Sequence, residues 1–269
     1  MTATNHTQDV NLNRMKFSEE SILHLYKGSP SKEQLEKIGC DEHDVNGAKN
    51  EEVFWLNTPG PIYTTQTDNC GTGQPEAPNN VGGDENYYEF IFKQPINRVE
   101  LNEIKNAADV DPFGGYYFDG NDYWTNERII TWWSRIDTVI EYMINRYAEE
   151  LQLPLNAHNT LVDFGKGLEE AHFFGPYVPM PQNYKSALDF YQTELKNYLE
   201  WYLVTNNESV VKLNELDYDW SEKIELDEKL KTFNPQTRDL VREYQHSNPN
   251  QSTLNKKRGF WDRVKEIIK

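Results

Sequence analysis

The chain has 269 residues, 37% of them hydrophobic and 13% aromatic, with a formal net charge of −17; rings in that proportion favour a folded core over a disordered chain, and the acidity excludes free nucleic acid as a ligand. Two cysteines, Cys40 and Cys70, are too few for the four-thiolate shell of a common iron–sulfur cluster, and a structural zinc site would need two well-placed histidines besides, so neither a cofactor nor a metal is expected. No apolar run approaches the roughly 18 residues of a membrane helix, and residues 1–8 lack the apolar stretch of a secretory signal; cytoplasmic residence is therefore the expectation, and it argues against a disulfide.

Residues 1–16 read as a polar leader. Ser18 is placed to cap a short helix with Glu19 and Glu20 in its first turn and Ile22, Leu25 and Tyr26 facing inward. Residues 28–30, Gly-Ser-Pro, break it, and Ser31 opens a second helix that Gly39 ends. Cys40, Asp41, Glu42, His43 and Asp44 are all metal-ligand types, but contiguous ligands converge poorly on one ion, so a solvated turn is the preferred reading.

The rest of the chain is organised around the stretch 53–95. Two β-branched or aromatic runs, 53–58 and 87–92, flank a long segment of Gly, Pro, Asn and Asp, the pattern of two strands with an irregular insertion. Loops beyond about 12–15 residues usually bind something or are disordered; Trp55, Ile62 and Tyr63 are expected to anchor this one. Within it, residues 67–73 (Thr-Asp-Asn-Cys-Gly-Thr-Gly) offer backbone amides to an anion and Cys70 as a nucleophile, which would need a base or a helix N-terminus beside it. The Gly-Lys-Ser/Thr ending of a P-loop is missing, and a structural loop is preferred over a catalytic one.

Residues 98–108 predict a helix carrying Val99, Leu101 and Ile104. The segment 111–125 then interleaves glycines with rings and acids. Asp119, Asp122, Tyr116, Tyr123 and Trp124, with Asp68 from the earlier loop, suit recognition of a cationic partner, because carboxylates pair with Arg and rings accept cation–π contacts; rings packed simply as core are the alternative. Thr125 caps the strongest helical pattern, 126–151, where Ile129, Trp132, Trp133, Ile136, Ile140, Met143, Tyr147 and Leu151 recur at steps of three and four.

Residues 155–182 are mixed. Asp163, Glu169, Glu170 and His172 form the best acid–base cluster, with Glu169 and His172 neighbours at helical spacing. A second long helix is expected over 183–205, with Tyr184, Leu188, Tyr191, Leu195, Tyr198 and Tyr202 on one face, and shorter polar helices over 208–216, 221–232 and 235–245. Residues 247–255 read as a linker between an acidic domain, 1–246, and a distinct tail. The tail, 256–269, carries six basic and two acidic residues, +4 against −21 on the remainder, and Phe260, Trp261, Val264, Ile267 and Ile268 share one helical face. That face is expected to dock on the acidic body or on a partner, with peripheral contact to an anionic membrane the less favoured destination.

Several short motifs in order also resemble a known family: residues 55–61 (Trp-Leu-Asn-Thr-Pro-Gly-Pro), the 67–73 loop with Ala77-Pro78 after it, 92–95 (Phe-Lys-Gln-Pro), and 111–116 (Asp-Pro-Phe-Gly-Gly-Tyr) before Trp124-Thr125 and Trp132-Trp133. Over about residues 50–205 the chain is similar to a family of uncharacterised acidic bacterial proteins whose members are sometimes labelled ferredoxin, a label at odds with two cysteines. The resemblance implies no activity and carries over no catalytic residue.

The fold is expected to be α+β, mainly helical, with a small antiparallel sheet backed by two long amphipathic helices. The expected function is that of an immunity-type protein that binds and neutralises a bacterial toxin through an acidic, aromatic-rich surface. The alternative is a small-molecule hydrolase or transferase using the 67–73 loop with Cys70 and the Asp163, Glu169 and His172 region.

Overall fold

The computed structural model describes residues 20–27, 33, 52–67, 69–152 and 181–232. The chain divides into two compact units, one formed by residues 1–147 with 181–220 and the other by 148–180 with 221–269. The architecture is α+β and mainly helical, as the periodicities imply.

The first unit opens with a short helix, α1 (Glu20–Leu23), continued by a 3-10 turn, His24–Tyr26, in which Leu25 and Tyr26 are buried. Two small antiparallel sheets come next. β1 (Tyr63–Thr64) pairs with β4 (Tyr116–Tyr117), and β2 (Val81–Gly83) pairs with β3 (Glu89–Ile91). In the first sheet Tyr63 faces Tyr117 with ring centroids 5.4 Å apart and nearly parallel, a cross-strand aromatic pair.

The strand pairing differs from the one expected. Residues 87–92 do contain a strand, but its partner is 81–83, and 53–58 contributes only a single bridge, Val53 to Thr65. Pro59 and Pro61 bring no N–H to a ladder, and the side chain of Asn57 stands in for one. Its amide donates to the carbonyls of Phe54 (2.9 Å) and Thr64 (2.8 Å), and its oxygen accepts from the N–H groups of Thr64 (3.2 Å) and Ile91 (2.9 Å) and from the Thr64 hydroxyl (3.1 Å). Gln94 does the same for the neighbouring segment, donating to the carbonyls of Thr58 and Ile62 and accepting from the Ile62 N–H. Buried backbone that cannot form a ladder must find such partners.

α2 (Arg98–Val110) begins where Asn97 accepts the Glu100 N–H and buries Leu101, Ile104 and Ala107. After β4, the one-turn α3 (Gly120–Tyr123) sits against the 59–61 segment: the Gly120 N–H donates to the Pro61 carbonyl at 2.9 Å, and a Cβ on Gly120 would lie 2.1 Å from the Gly60 carbonyl oxygen. Thr125 caps the next helix by accepting the Arg128 N–H. The single helix expected over 126–151 is two, α4 (Asn126–Trp133) and α5 (Ile136–Gln152), separated at Ser134–Arg135 where the Arg135 N–H turns back to the Trp132 carbonyl. Trp132 and Trp133 are core, as their register implies.

The helix expected over 183–205 is likewise two, α6 (Pro181–Thr193) and α7 (Leu195–Asn207), broken at Glu194. Tyrosines on this pair reach across the unit. Tyr184 donates to the Gly83 carbonyl, Tyr198 to the Pro59 carbonyl at 2.8 Å and Tyr202 to Asn121 at 2.8 Å. With Tyr26 and Trp201, Tyr198 and Tyr202 make a buried ring cluster, in which the latter two stack at 6.0 Å. Burial pushes the phenols of Tyr26, Tyr198 and Tyr202 well above the usual range, so they remain neutral donors.

Residues 208–216, expected to be helical, are not. Glu208 adopts a left-handed conformation (φ 52°) that ends α7, its N–H returning to the Val204 carbonyl. In the second unit, α8 (Ser221–Thr232) matches the expected bounds, with Lys223 and Asp227 paired at 2.7 Å one turn apart. The expected elements over 31–39, 155–180 and 235–245, the 247–255 linker and the tail helix with Phe260, Trp261, Val264, Ile267 and Ile268 lie outside the described residues. Among the described residues no helix is long and apolar enough to cross a membrane.

Candidate functional site

The 67–74 loop is held from beneath by two buried acids. Glu89, fully buried on β3, accepts the N–H groups of Gly73 (2.6 Å) and Gln74 (3.0 Å) through one oxygen and the Tyr116 hydroxyl (2.6 Å) through the other. Asp111, at the end of α2, accepts from the Asn69 amide (2.8 Å) and from the N–H groups of Phe113 and Gly115. Asn69 closes the frame by accepting the Glu89 N–H at 3.1 Å. Desolvation raises the Glu89 carboxyl to about 8 against the lowering effect of its three donors, and Asp111 nearby adds to the rise.

That arrangement defines what the loop can do chemically. Cys70 and Gly71 occupy its tip with φ of 59° and 63°, and the Thr72 N–H returns to the Asn69 carbonyl at 3.3 Å, the pattern of a type I′ turn. Cys70 is exposed, while Glu89 and Asp111, the acids beneath the loop, are turned onto backbone N–H groups. Asp163, Glu169 and His172, the other half of the hydrolase reading, lie outside the described residues, as does Asp68.

The 111–124 segment separates into core and surface. Tyr116 and Trp124 are 8% and 4% exposed, which removes them from a contact face: Tyr116 spends its hydroxyl on Glu89, and Trp124 packs edge-on against Tyr123. Asp122 is exposed, and Asp119 and Tyr123 are half-buried. The Arg128 guanidinium lies 4.2 Å from the Tyr123 ring centroid, so this ring already holds a cation of its own chain. Asn121 pins the surface from behind, donating to the Leu25 carbonyl at 2.7 Å and accepting from Tyr202. Glu127, in the first turn of α4, adds a further acid a few residues along the chain from Asp122.

A second ring-and-acid surface lies outside the segments that the sequence singles out. Trp55, expected as a loop anchor alongside the buried Ile62 and Tyr63, is 45% exposed. Its backbone carbonyl accepts from the Trp132 indole N–H at 3.1 Å, and its ring meets that of Tyr142 edge-on, centroids 5.5 Å apart. The Tyr142 hydroxyl in turn donates to Glu85 at 2.6 Å on the β2–β3 hairpin loop. This hydrogen bond is the main reason the Glu85 carboxyl sits below its ordinary range. The same loop carries Asp84, which accepts the N–H groups of Asn86 and Tyr88 at 2.8 Å each, and Tyr87, 47% exposed. The sequence signal is present as Trp next to Phe54 and an acidic hairpin tip, but which of two adjacent rings faces out depends on the turn at 55–57.

One further concavity of about 490 Å³ opens beside α6 and α7, lined by Tyr191, Lys196, Glu200, Lys212, Glu215 and Trp220 among others. Lys196 pairs there with Glu215 and, at 3.7 Å, with Glu200, and Lys212 pairs with Glu200 at 3.0 Å, so its charges are balanced internally. Comparison of the chain with protein-family models, with curated proteins and with solved structures gave no match, so the chemistry of these surfaces rests on the residues themselves.

Proposed function

We propose that this chain is an immunity-type protein that binds a cationic bacterial toxin domain in the cytoplasm and neutralises it by covering its basic active surface. The supporting observation is a pair of exposed acids on backbone that is fixed in advance: Asp122 adjoins a half-buried Tyr123 that Arg128 covers, Glu127 follows on α4, and α3 is tied to the 3-10 turn and α7 through Asn121. A surface already ordered before contact loses little conformational entropy on binding. A net charge of −17 steers a basic partner towards it and repels nucleic acid that would compete. Barnase and barstar, a standard example of such pairing, show how strongly acidic inhibitors can couple to basic nuclease sites.

The test is the association rate with a basic toxin domain encoded beside this chain. Charge steering is screened over roughly 8–10 Å near physiological salt, so the rate should fall steeply between low and high ionic strength. Asp122→Lys with Glu127→Lys should slow association at low salt and leave the unfolding midpoint nearly unchanged. Asp119 is a poor choice for reversal because it is half-buried. An on-rate flat in salt and indifferent to the double reversal would overturn the proposal.

A further inference from the structure

We propose that Trp55 and Glu85, joined through Tyr142, form a receptor for a single arginine or lysine side chain presented by a basic protein partner. The inference rests on the partner-binding reading above and names a second contact point for it. Three observations converge. First, Trp55 stands 45% exposed between Phe54 and Leu56, which are 4% and 0% exposed, so the indole is turned outward by a backbone that is otherwise packed. The bond from the Trp132 indole to its carbonyl at 3.1 Å and edge contacts to Phe54 and Tyr142 at 6.4 and 5.5 Å fix it there. Second, Tyr142 carries the indole on its ring and a carboxylate on its hydroxyl, 2.6 Å from Glu85. Indole is the aromatic ring best suited to a cation, and the Glu85 carboxylate, one tyrosine side chain away, supplies the charged hydrogen bond to a guanidinium or ammonium that reaches both. Third, the Tyr142 hydroxyl already donates to Glu85 and stabilises its ionised form, so the acceptor is charged and oriented before the cation arrives.

The charges facing this group are Asp84 and Glu85 on the hairpin and Arg146 one turn along α5 from Tyr142. Arg146 lies towards the interior, its guanidinium 5.9 Å from the Tyr184 ring centroid, and balances one of the two acids, which leaves the site with one net negative charge for an incoming cation. Rigid aromatic anchors beside charged groups are the sites that dominate binding energy in protein interfaces.

The experiment tracks the Trp55 indole N–H by nuclear magnetic resonance in the full chain during titration with acetyl-Gly-Arg-Gly-amide and with its citrulline counterpart, which has the same shape and no charge. The expected result is a saturable shift for the arginine peptide, with roughly tenfold weaker binding of the citrulline peptide. Glu85→Gln, a change on an exposed loop, should reduce that preference without removing it, because the indole still favours a cation, and Trp55→Leu, read from the backbone amides of residues 83–88, should remove binding of both. Equal response to the two peptides, or a preference unchanged in size by Glu85→Gln, overturns the receptor. A full-length variant with Lys256→Gln, Lys257→Gln and Arg258→Gln addresses the chain's own basic segment. If the peptide binds only in that variant, the occupant is this segment and the partner assignment falls. A toxin that binds with a salt-sensitive rate but is indifferent to Trp55→Leu and Glu85→Gln keeps the immunity reading and removes the receptor. Arginine binding at Trp55 with no basic partner leaves the receptor's chemistry in place and removes the immunity reading.

Discussion

Asn57 and Glu89 are polar side chains with no exposure, and each organises backbone that no strand reaches. Replacing Asn57 by Ala takes the acceptor from the buried Thr64 and Ile91 N–H groups, at about 1–3 kcal/mol for each group left without a partner, while the Phe54 and Thr64 carbonyls lose one donor each and keep the backbone N–H groups of Asn57 and Phe54. Asn57→Asp should be nearly as damaging, since a carboxylate cannot donate to the two carbonyls; chemical denaturation of the two variants checks both. Glu89 supplies a pH signature. Its folded carboxyl titrates at about 8 against 4.5 when unfolded, so the native state holds a proton that the unfolded state gives up. Its contribution is therefore complete below about pH 4.5, is lost as pH rises towards 8, and is flat above. The span is at most about 5 kcal/mol. The stability difference between wild type and Glu89→Gln should shrink over that interval when urea midpoints are compared at about pH 5 and about pH 8.5; a difference independent of pH would place the proton elsewhere.

At the scale of elements, α2 was legible from the spacing of Val99, Leu101 and Ile104, the start of α4 from its Thr125 cap, and α8 with its bounds at 221–232. The breaks inside the two long helical patterns were not. The apolar stripe of Ile129, Trp132, Ile136 and Ile140 keeps its register through Ser134–Arg135, so periodicity alone runs across the break. β2 was hidden for a different reason: Val-Gly-Gly reads as loop, yet Gly82 is a strand residue because the Phe90 ring covers it, where a Cβ would lie 2.5 Å from that ring. The outward face of Trp55 was equally unreadable, since the Asn57 turn that sets it mimics a ladder with a side chain. Gly120 is the sharpest test at this scale. Its missing Cβ lets α3 lie on the Gly60 and Pro61 backbone, and Gly120→Ala must push the two segments apart. We expect a loss of about 1–3 kcal/mol, with chemical shifts changing at both 59–61 and 120–124; a neutral substitution would mean that the two segments do not touch.

For the whole molecule, charge decides behaviour. The acidity legible in composition is carried on exposed positions such as Asp122, Asp137 and Glu141, whereas the buried carboxyls of Glu89 and Asp111 are occupied with backbone. Raising salt should therefore weaken association with a basic partner more than it alters the unfolding midpoint, because exposed charges are screened and the buried hydrogen bonds are not. Parallel measurement of the on-rate and of the urea midpoint at about 50 and about 500 mM salt, which bracket the physiological Debye length, separates the two. Comparable loss in both would mean that surface charge is holding the fold.

The tyrosines of α6 and α7 also set an order of events during synthesis. The strands of the first unit all lie ahead of α3 in the chain. The groups that complete it, Tyr184 on the Gly83 carbonyl, Tyr198 on the Pro59 carbonyl and Tyr202 on Asn121, come from sequence 81 to 139 residues downstream. Contacts that distant delay folding, because the intervening chain must be closed before they form. A nascent chain that has emerged only through α5 carries β2, the 59–61 segment and α4 without the helices α6 and α7 that pack against them. Such a chain leaves the Gly83 and Pro59 carbonyls and the Asn121 side chain without their tyrosine donors during elongation, and that interval is when a holding chaperone would engage it.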